Sequence, residues 1–142
     1  MENKEQKPKF YAGGFLYNPK TKSVLLHLRD AKAPVSPNRW GVFGGACEDA
    51  ETPKQCFIRE MREELNIDIK ENELIPLGDY FNEERDAWRY VFYVESESDK
   101  SQMILGEGAD FDWVSLDKVF DYDLTEKTRR DLGTFLKKLG DI

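Results

Sequence analysis

Glu60, Glu63 and Glu64 stand at i, i+3 and i+4. On a helix turning 100° per residue they share one face, while Phe57, Ile58, Met61 and Leu65 share the opposite one. The apolar face suits a core. The acidic face has two readings. As a solvated surface it gains only roughly a few tenths of a kcal/mol from Arg59 and Glu63 at i, i+4. As a hard-cation site it is well composed, because Mg²⁺ and Mn²⁺ take oxygen ligands and carboxylates one turn apart can share them. The loop upstream carries Gly44-Gly45 and then Glu48, Asp49 and Glu51. Backbone without Cβ atoms can fold such oxygens back over the glutamate face.

The helix that must present these groups has a local start signal. Thr52 is an N-cap, Pro53 sits at the first helical position, and Gln55 completes a Thr-x-x-Gln capping box. A helix is therefore expected from about Pro53.

The whole pattern resembles the Nudix box of the Nudix hydrolase family. It runs Gly45, five residues, Glu51, seven residues, then Arg59-Glu60-Met61-x-Glu63-Glu64-x-x-Ile67. Three positions depart from the usual form. Asn66 replaces a Gly near the helix end, where Asn is the next-best residue for a left-handed turn. Ala50 replaces a Gly before Glu51 and leaves the loop path open. Phe43 stands where many members have Pro, although Phe-Gly-Gly is familiar among hydrolases of oxidised purine nucleotides.

Composition bounds what such a site could serve. The 142 residues make one domain, able to bury roughly 70% of the unfolded surface. A formal net charge of -7 argues against polymeric nucleic acid, which needs clustered Lys and Arg. A small phosphate ester remains admissible if a divalent cation supplies positive charge. Cys47 and Cys56 are expected as two reduced thiols of a cytoplasmic protein. No apolar run reaches the 18 or so residues of a membrane span, and no signal-peptide core is visible.

Along the chain, residues 1–9 read as a loose arm and 10–142 as a single domain. Phe10 to Asn18 reads as a strand interrupted at Gly13-Gly14, and Ser23 to Arg29 as its hairpin partner. His27 and Arg29 project to one side of that second strand; His27 reads as half-exposed. A Pro-rich loop leads to Trp40, which is either core or a platform beside the site. Glu73 to Phe81 contains Pro76 and reads as an edge strand, whereas Ala87 to Glu95, apolar on both faces, reads as a central one. Gly106-Glu107-Gly108 precedes a short strand containing Trp113. Ser115 or Leu116 opens a short helix, and Thr125 caps a last helix whose stripe is Leu132, Phe135, Leu136 and Leu139.

The Nudix resemblance implies an α/β class fold, an α/β/α sandwich around a mixed sheet. It implies hydrolysis of a nucleoside diphosphate linked to another group. Mg²⁺, or Mn²⁺, would be held by Glu60, Glu63 and Glu64 with the Gly45 carbonyl. Arg59 would orient Glu51, Glu64 or Glu107 would act as base, and Arg29 would bind substrate. The Phe43-Gly44-Gly45 variant and the Glu107–Trp113 spacing resemble the branch acting on nucleoside triphosphates, oxidised purines included, ahead of ADP-ribose or nucleotide sugars. A non-catalytic nucleotide-binding regulator and a diphosphate isomerase are the rival classes. The intact glutamate set opposes the first, and the lone His27 opposes the second. The expected partner is a small-molecule nucleotide, with a homodimer as the one protein partner entertained.

Overall fold

The computed structural model describes residues 9–34, 36–106 and 108–140. The 1–9 arm therefore lies outside the described residues apart from Lys9, and so does Glu107. Seven strands form one mixed sheet: β1 (Phe10–Asn18), β2 (Ser23–Leu28), β3 (Trp40–Gly41), β4 (Phe43–Ala46), β5 (Ile75–Asn82), β6 (Ala87–Glu95) and β7 (Asp110–Ser115). Two helices complete it, α1 (Pro53–Leu65) and α2 (Glu126–Leu139).

Strand β1 is the hub. It pairs antiparallel with β2 and β4 and parallel with β6, while β5 closes the edge beyond β6 and β7 pairs with β2. Pro76 explains the edge position of β5, since it cannot donate to a ladder, and the register slips beside it between Pro76 and Gly78.

Period-2 alternation sends each strand's side chains to two cores. Leu16, Leu25, Phe92 and Val94 pack under α1 with Phe57, Met61 and Leu65. Phe15, Tyr17, Val24, Leu26 and Tyr93 pack under α2 with Leu132 and Phe135. This is the α/β/α arrangement with a mixed sheet that the sequence implied. Helix α1 starts as read: Thr52 Oγ1 accepts from the Gln55 N–H, and Gln55 Oε1 from the Thr52 N–H. Asn66 closes it in the left-handed region at φ 57°. Thr125 caps α2 likewise.

Several expectations are corrected. Strand β1 runs unbroken through Gly13-Gly14, because those glycines admit neighbours rather than interrupt pairing. Between β3 and β4, for which the sequence carried no strand expectation, Val42 leaves the ladder. Its N–H donates to Thr128 Oγ1 and its carbonyl faces His27 Nε2. The short helix after Ser115 is a single turn at Val119–Asp121. His27 is buried, at 9% exposure, against the Phe43 ring. Strand β6 is not covered throughout: Trp88 is exposed. Cys47 and Cys56 are not free thiols but a disulfide joining the loop to α1. Among the described residues no helix is long and apolar enough to cross a membrane.

Candidate active site

An open cleft of about 930 Å³ lies between β1, β4, residues 29–34 and the start of α2. Arg29, Gly45 and Glu64 line it, as do Arg89 and Lys127. The β4 backbone reaches the acidic face of α1 at Gly44 and Gly45. The Gly44 N–H donates to Glu64 Oε2 at 3.4 Å. A Cβ built on Gly45 would stand 2.7 to 2.9 Å from the Glu60 carboxylate, so glycine is what lets the chain lie against that oxygen pair. Gly44 is needed for a different reason. Its φ is +136°, and a Cβ there would stand 2.2 Å from the Ala12 carbonyl oxygen.

Arg59 ties the acidic groups together. Its Nε and Nη2 donate to Glu51 at 2.6 and 3.0 Å, its Nη1 to Glu60 at 3.0 Å and Glu63 at 3.3 Å, and Nη2 also to the Ala46 carbonyl at 3.0 Å. The Arg59 hydrogen bonds hold the Glu51 carboxyl below its ordinary range, against a burial effect of opposite sign. Glu63 is the most exposed of the set, at 57% of its side chain, against 13% for Glu60.

By donor type the set suits a hard divalent cation, although among the described residues the carboxylates of Glu60, Glu63 and Glu64 do not converge within 4.8 Å of one another. Glu60, Glu63, Glu64 and the Gly45 carbonyl supply only oxygen, and Gly45 leaves no side chain between its backbone and Glu60. Among the described residues, the side-chain donors that converge within 4.8 Å as a trio are Cys47, Glu51 and Cys56, but the two sulfurs there are bonded to each other. That trio is no metal site.

Trp40 does not line the cleft. Its ring meets Tyr122 edge-on at 5.4 Å, within the α2-side core, which is the core reading of the two. Around Glu107, which lies outside the described residues, the Gly106 N–H donates to the Glu64 carbonyl at 2.8 Å, and Gly108 lies beside His27 and the Leu28 carbonyl.

Two cleft features, Lys127 and the Arg89–Asp131 pair, had no place in the sequence reading, and a third, His27, was read there as half-exposed. His27 is neutral, its pKa lowered to about 4, chiefly by burial and also by Arg29, against the Val42 carbonyl contact. Lys127 is lowered to about 8, first by burial and then by Arg89 and Arg85. Arg89 forms a buried pair with Asp131, whose carboxyl burial pushes up while Arg89 pulls it down. The available signals were an Arg inside the most apolar strand and an Asp inside the apolar stripe of α2.

The NUDIX domain model matches residues 7–139. The chain is 30% identical over 107 residues to a nucleoside triphosphate pyrophosphatase/Nudix hydrolase fusion protein of Bifidobacterium longum, covering 72% of this chain but only 22% of that one. It is 28% identical over 119 residues to the nucleoside triphosphatase NudI of Escherichia coli, covering 77% of this chain and 84% of that one. Its fold matches a MutT protein from Methanosarcina mazei with a TM-score of 0.71 at 21% identity, over 99% of this chain and 100% of the other.

Proposed function

The chain belongs to the Nudix family and is a nucleotide pyrophosphohydrolase of that family, and from this premise we propose that its substrates are (deoxy)nucleoside triphosphates. The products are then the nucleoside monophosphate and pyrophosphate. One observation carries the reading: at the cleft wall the Gly44-Gly45 backbone lies directly on the carboxylates of Glu64 and Glu60. That contact sets the cleft directly against the carboxylates that would hold the cation. The similarity to NudI and to the fusion protein supports the triphosphate class over ADP-ribose and nucleotide sugars.

Glu60, Glu63, Glu64 and the Gly45 carbonyl would hold Mg²⁺ or Mn²⁺. Such an ion neutralises a diphosphate and lowers the pKa of a bound water. Arg59 keeps Glu51 and Glu60 in place through the fork described above. Arg29, at the exit of β2, contacts the phosphate chain. Glu64 or Glu107 takes the proton of the attacking water as its oxygen bonds to phosphorus and the phosphoanhydride P–O bond breaks. Residues 10–142 act as the single catalytic domain. A cytoplasmic location belongs to the same proposal, without the support of the reduced thiols expected for it, since Cys47 and Cys56 are bonded.

Turnover of a panel of nucleoside triphosphates, ADP-ribose and a GDP-sugar, with and without Mg²⁺, followed by chromatographic separation of the nucleotide products, tests this reading. Mg²⁺-dependent turnover of triphosphates at least about tenfold faster than of the other two is expected. Preference for ADP-ribose or the sugar nucleotide would refute the triphosphate class. In Glu63→Gln the rate should fall more than about tenfold. Its melting temperature should stay unchanged, because the side chain faces solvent and Arg59 rather than the core.

A further inference from the structure

The buried pair of Arg89 and Asp131 plays no part in holding a cation or splitting a phosphoanhydride. Both side chains are nearly inaccessible, at 5% and 2%. Arg89 Nη1 donates to Asp131 Oδ2 at 2.6 Å and to the Tyr80 hydroxyl at 3.0 Å, and that hydroxyl donates to Asp131 Oδ1 at 3.4 Å. Among the described residues both hydrogen bonds of the guanidinium thus run through Nη1. The Nε–Nη2 edge, which presents two parallel N–H groups, carries neither.

That edge is placed with care. Nη2 occupies the space a side chain on Gly13 would take, since a Cβ there would stand 2.5 Å from it and 3.0 Å from the Phe43 carbonyl oxygen. Arg89 and Gly13 line the same cleft as Gly45 and Glu64. In the sheet Gly13 pairs with Gly44, the residue whose N–H meets Glu64. A buried ion pair is a poor stabiliser beside apolar residues of equal volume, so stability alone gives little reason for one on the cleft wall.

Such an edge matches a carboxylate, a phosphate, or two adjacent acceptors on a base. Asp131 already pairs with the guanidinium, so a second anion gains less from its other edge than it would from an unpaired one, while Lys127, Arg85 and Arg29 line the same cleft for the phosphates. A neutral acceptor pair needs only the two N–H groups. We propose that Arg89, with Asp131 and Tyr80 as its positioning residues, is the specificity-determining residue that reads two adjacent neutral acceptors on the substrate's base. Guanine offers N7 and O6, and cytosine offers N3 and O2. Adenine sets a donor amino group beside N7, and thymine places N3–H between its carbonyls. 8-Oxoguanine carries hydrogen on N7, so the oxidised purine is the poorer guanine substrate. This assignment rests on the triphosphate reading.

The test is kcat/KM at saturating Mg²⁺ for dGTP, dATP, dCTP, dTTP and 8-oxo-dGTP, with 7-deaza-dGTP and 3-deaza-dCTP, each lacking one acceptor. A bidentate contact predicts about tenfold or more between the right base and its competitor. If guanine is read, dGTP exceeds dATP, 8-oxo-dGTP and 7-deaza-dGTP by that factor. If cytosine is read, dCTP exceeds dTTP and 3-deaza-dCTP by it. Arg89→Lys then collapses the ratio, and Asp131→Asn lowers it, whereas a merely structural pair would slow all nucleotides alike. Should either variant fail to fold, the deaza comparison in the unaltered protein decides. Hydrolysis of none of these nucleotides would sink the triphosphate reading itself. Hydrolysis without base discrimination, with a deaza analogue as good as its parent, or with a ratio that Arg89→Lys preserves, would overturn the role of Arg89 alone.

Discussion

Arg59 grips Glu51 with two nitrogens of one guanidinium edge, Nε at 2.6 Å and Nη2 at 3.0 Å, while Nη1 reaches Glu60 at 3.0 Å. A planar fork makes all three contacts together; an ammonium is a point charge and cannot. Arg59→Lys should therefore lower kcat/KM at least about tenfold although the charge is kept. Kinetics like those of the unaltered protein would remove Arg59 from the role of orienting these carboxylates.

Gly44 and Gly45 should respond differently to alanine. A Cβ on Gly45 meets only the end of the Glu60 side chain, which can swing away. Gly45→Ala should keep its melting temperature and lose activity as Glu60 is displaced. On Gly44 the Cβ meets the Ala12 backbone at 2.2 Å with φ at +136°. Gly44→Ala should cost about 1–3 kcal/mol or more in urea unfolding. Equal stability of the two variants would contradict this assignment.

His27 gives stability a pH dependence of definite sign. Its pKa is 6.5 when unfolded and about 4 when folded. Between those values the unfolded chain binds more protons, so stability falls as pH drops through that window, by about 3 kcal/mol in all. Between pH 7 and pH 5 the unaltered protein should lose about 2 kcal/mol more than His27→Gln does, measured by urea unfolding. An identical pH response in both would show that His27 does not carry this linkage.

The Cys47–Cys56 bond closes a short loop, nine residues apart in sequence, around Glu51. Cross-linking a loop of that length should stabilise by about 3 kcal/mol through the unfolded chain. Intact-mass measurement under non-reducing conditions should show two hydrogens fewer than the reduced chain. Reductant should lower the melting temperature of the unaltered protein but not of a Cys47→Ser, Cys56→Ser double variant. Equal responses would count against the bond.

What the sequence determined by itself is what short-range chemistry decides. The Thr52 cap, the Asn66 closure and the face shared by Glu60, Glu63 and Glu64 depend on neighbours within a few residues. The strand alternation that fills two cores is similarly local, and Pro76 marks an edge for want of an N–H. The tertiary structure decided whatever joins distant segments. Arg89 and Asp131 are 42 residues apart, and neither sequence neighbourhood names the other; only the parallel pairing of β1 with β6 and the packing of α2 bring them together. The burial of His27 likewise depends on Phe43 and Val42 arriving from another strand region. The cysteines could not be paired in advance, because the path of a loop containing Ala50 is settled by what it packs against. A helix start is written in the bonds of one turn, whereas a cleft wall is written in the entropy and packing of the whole chain.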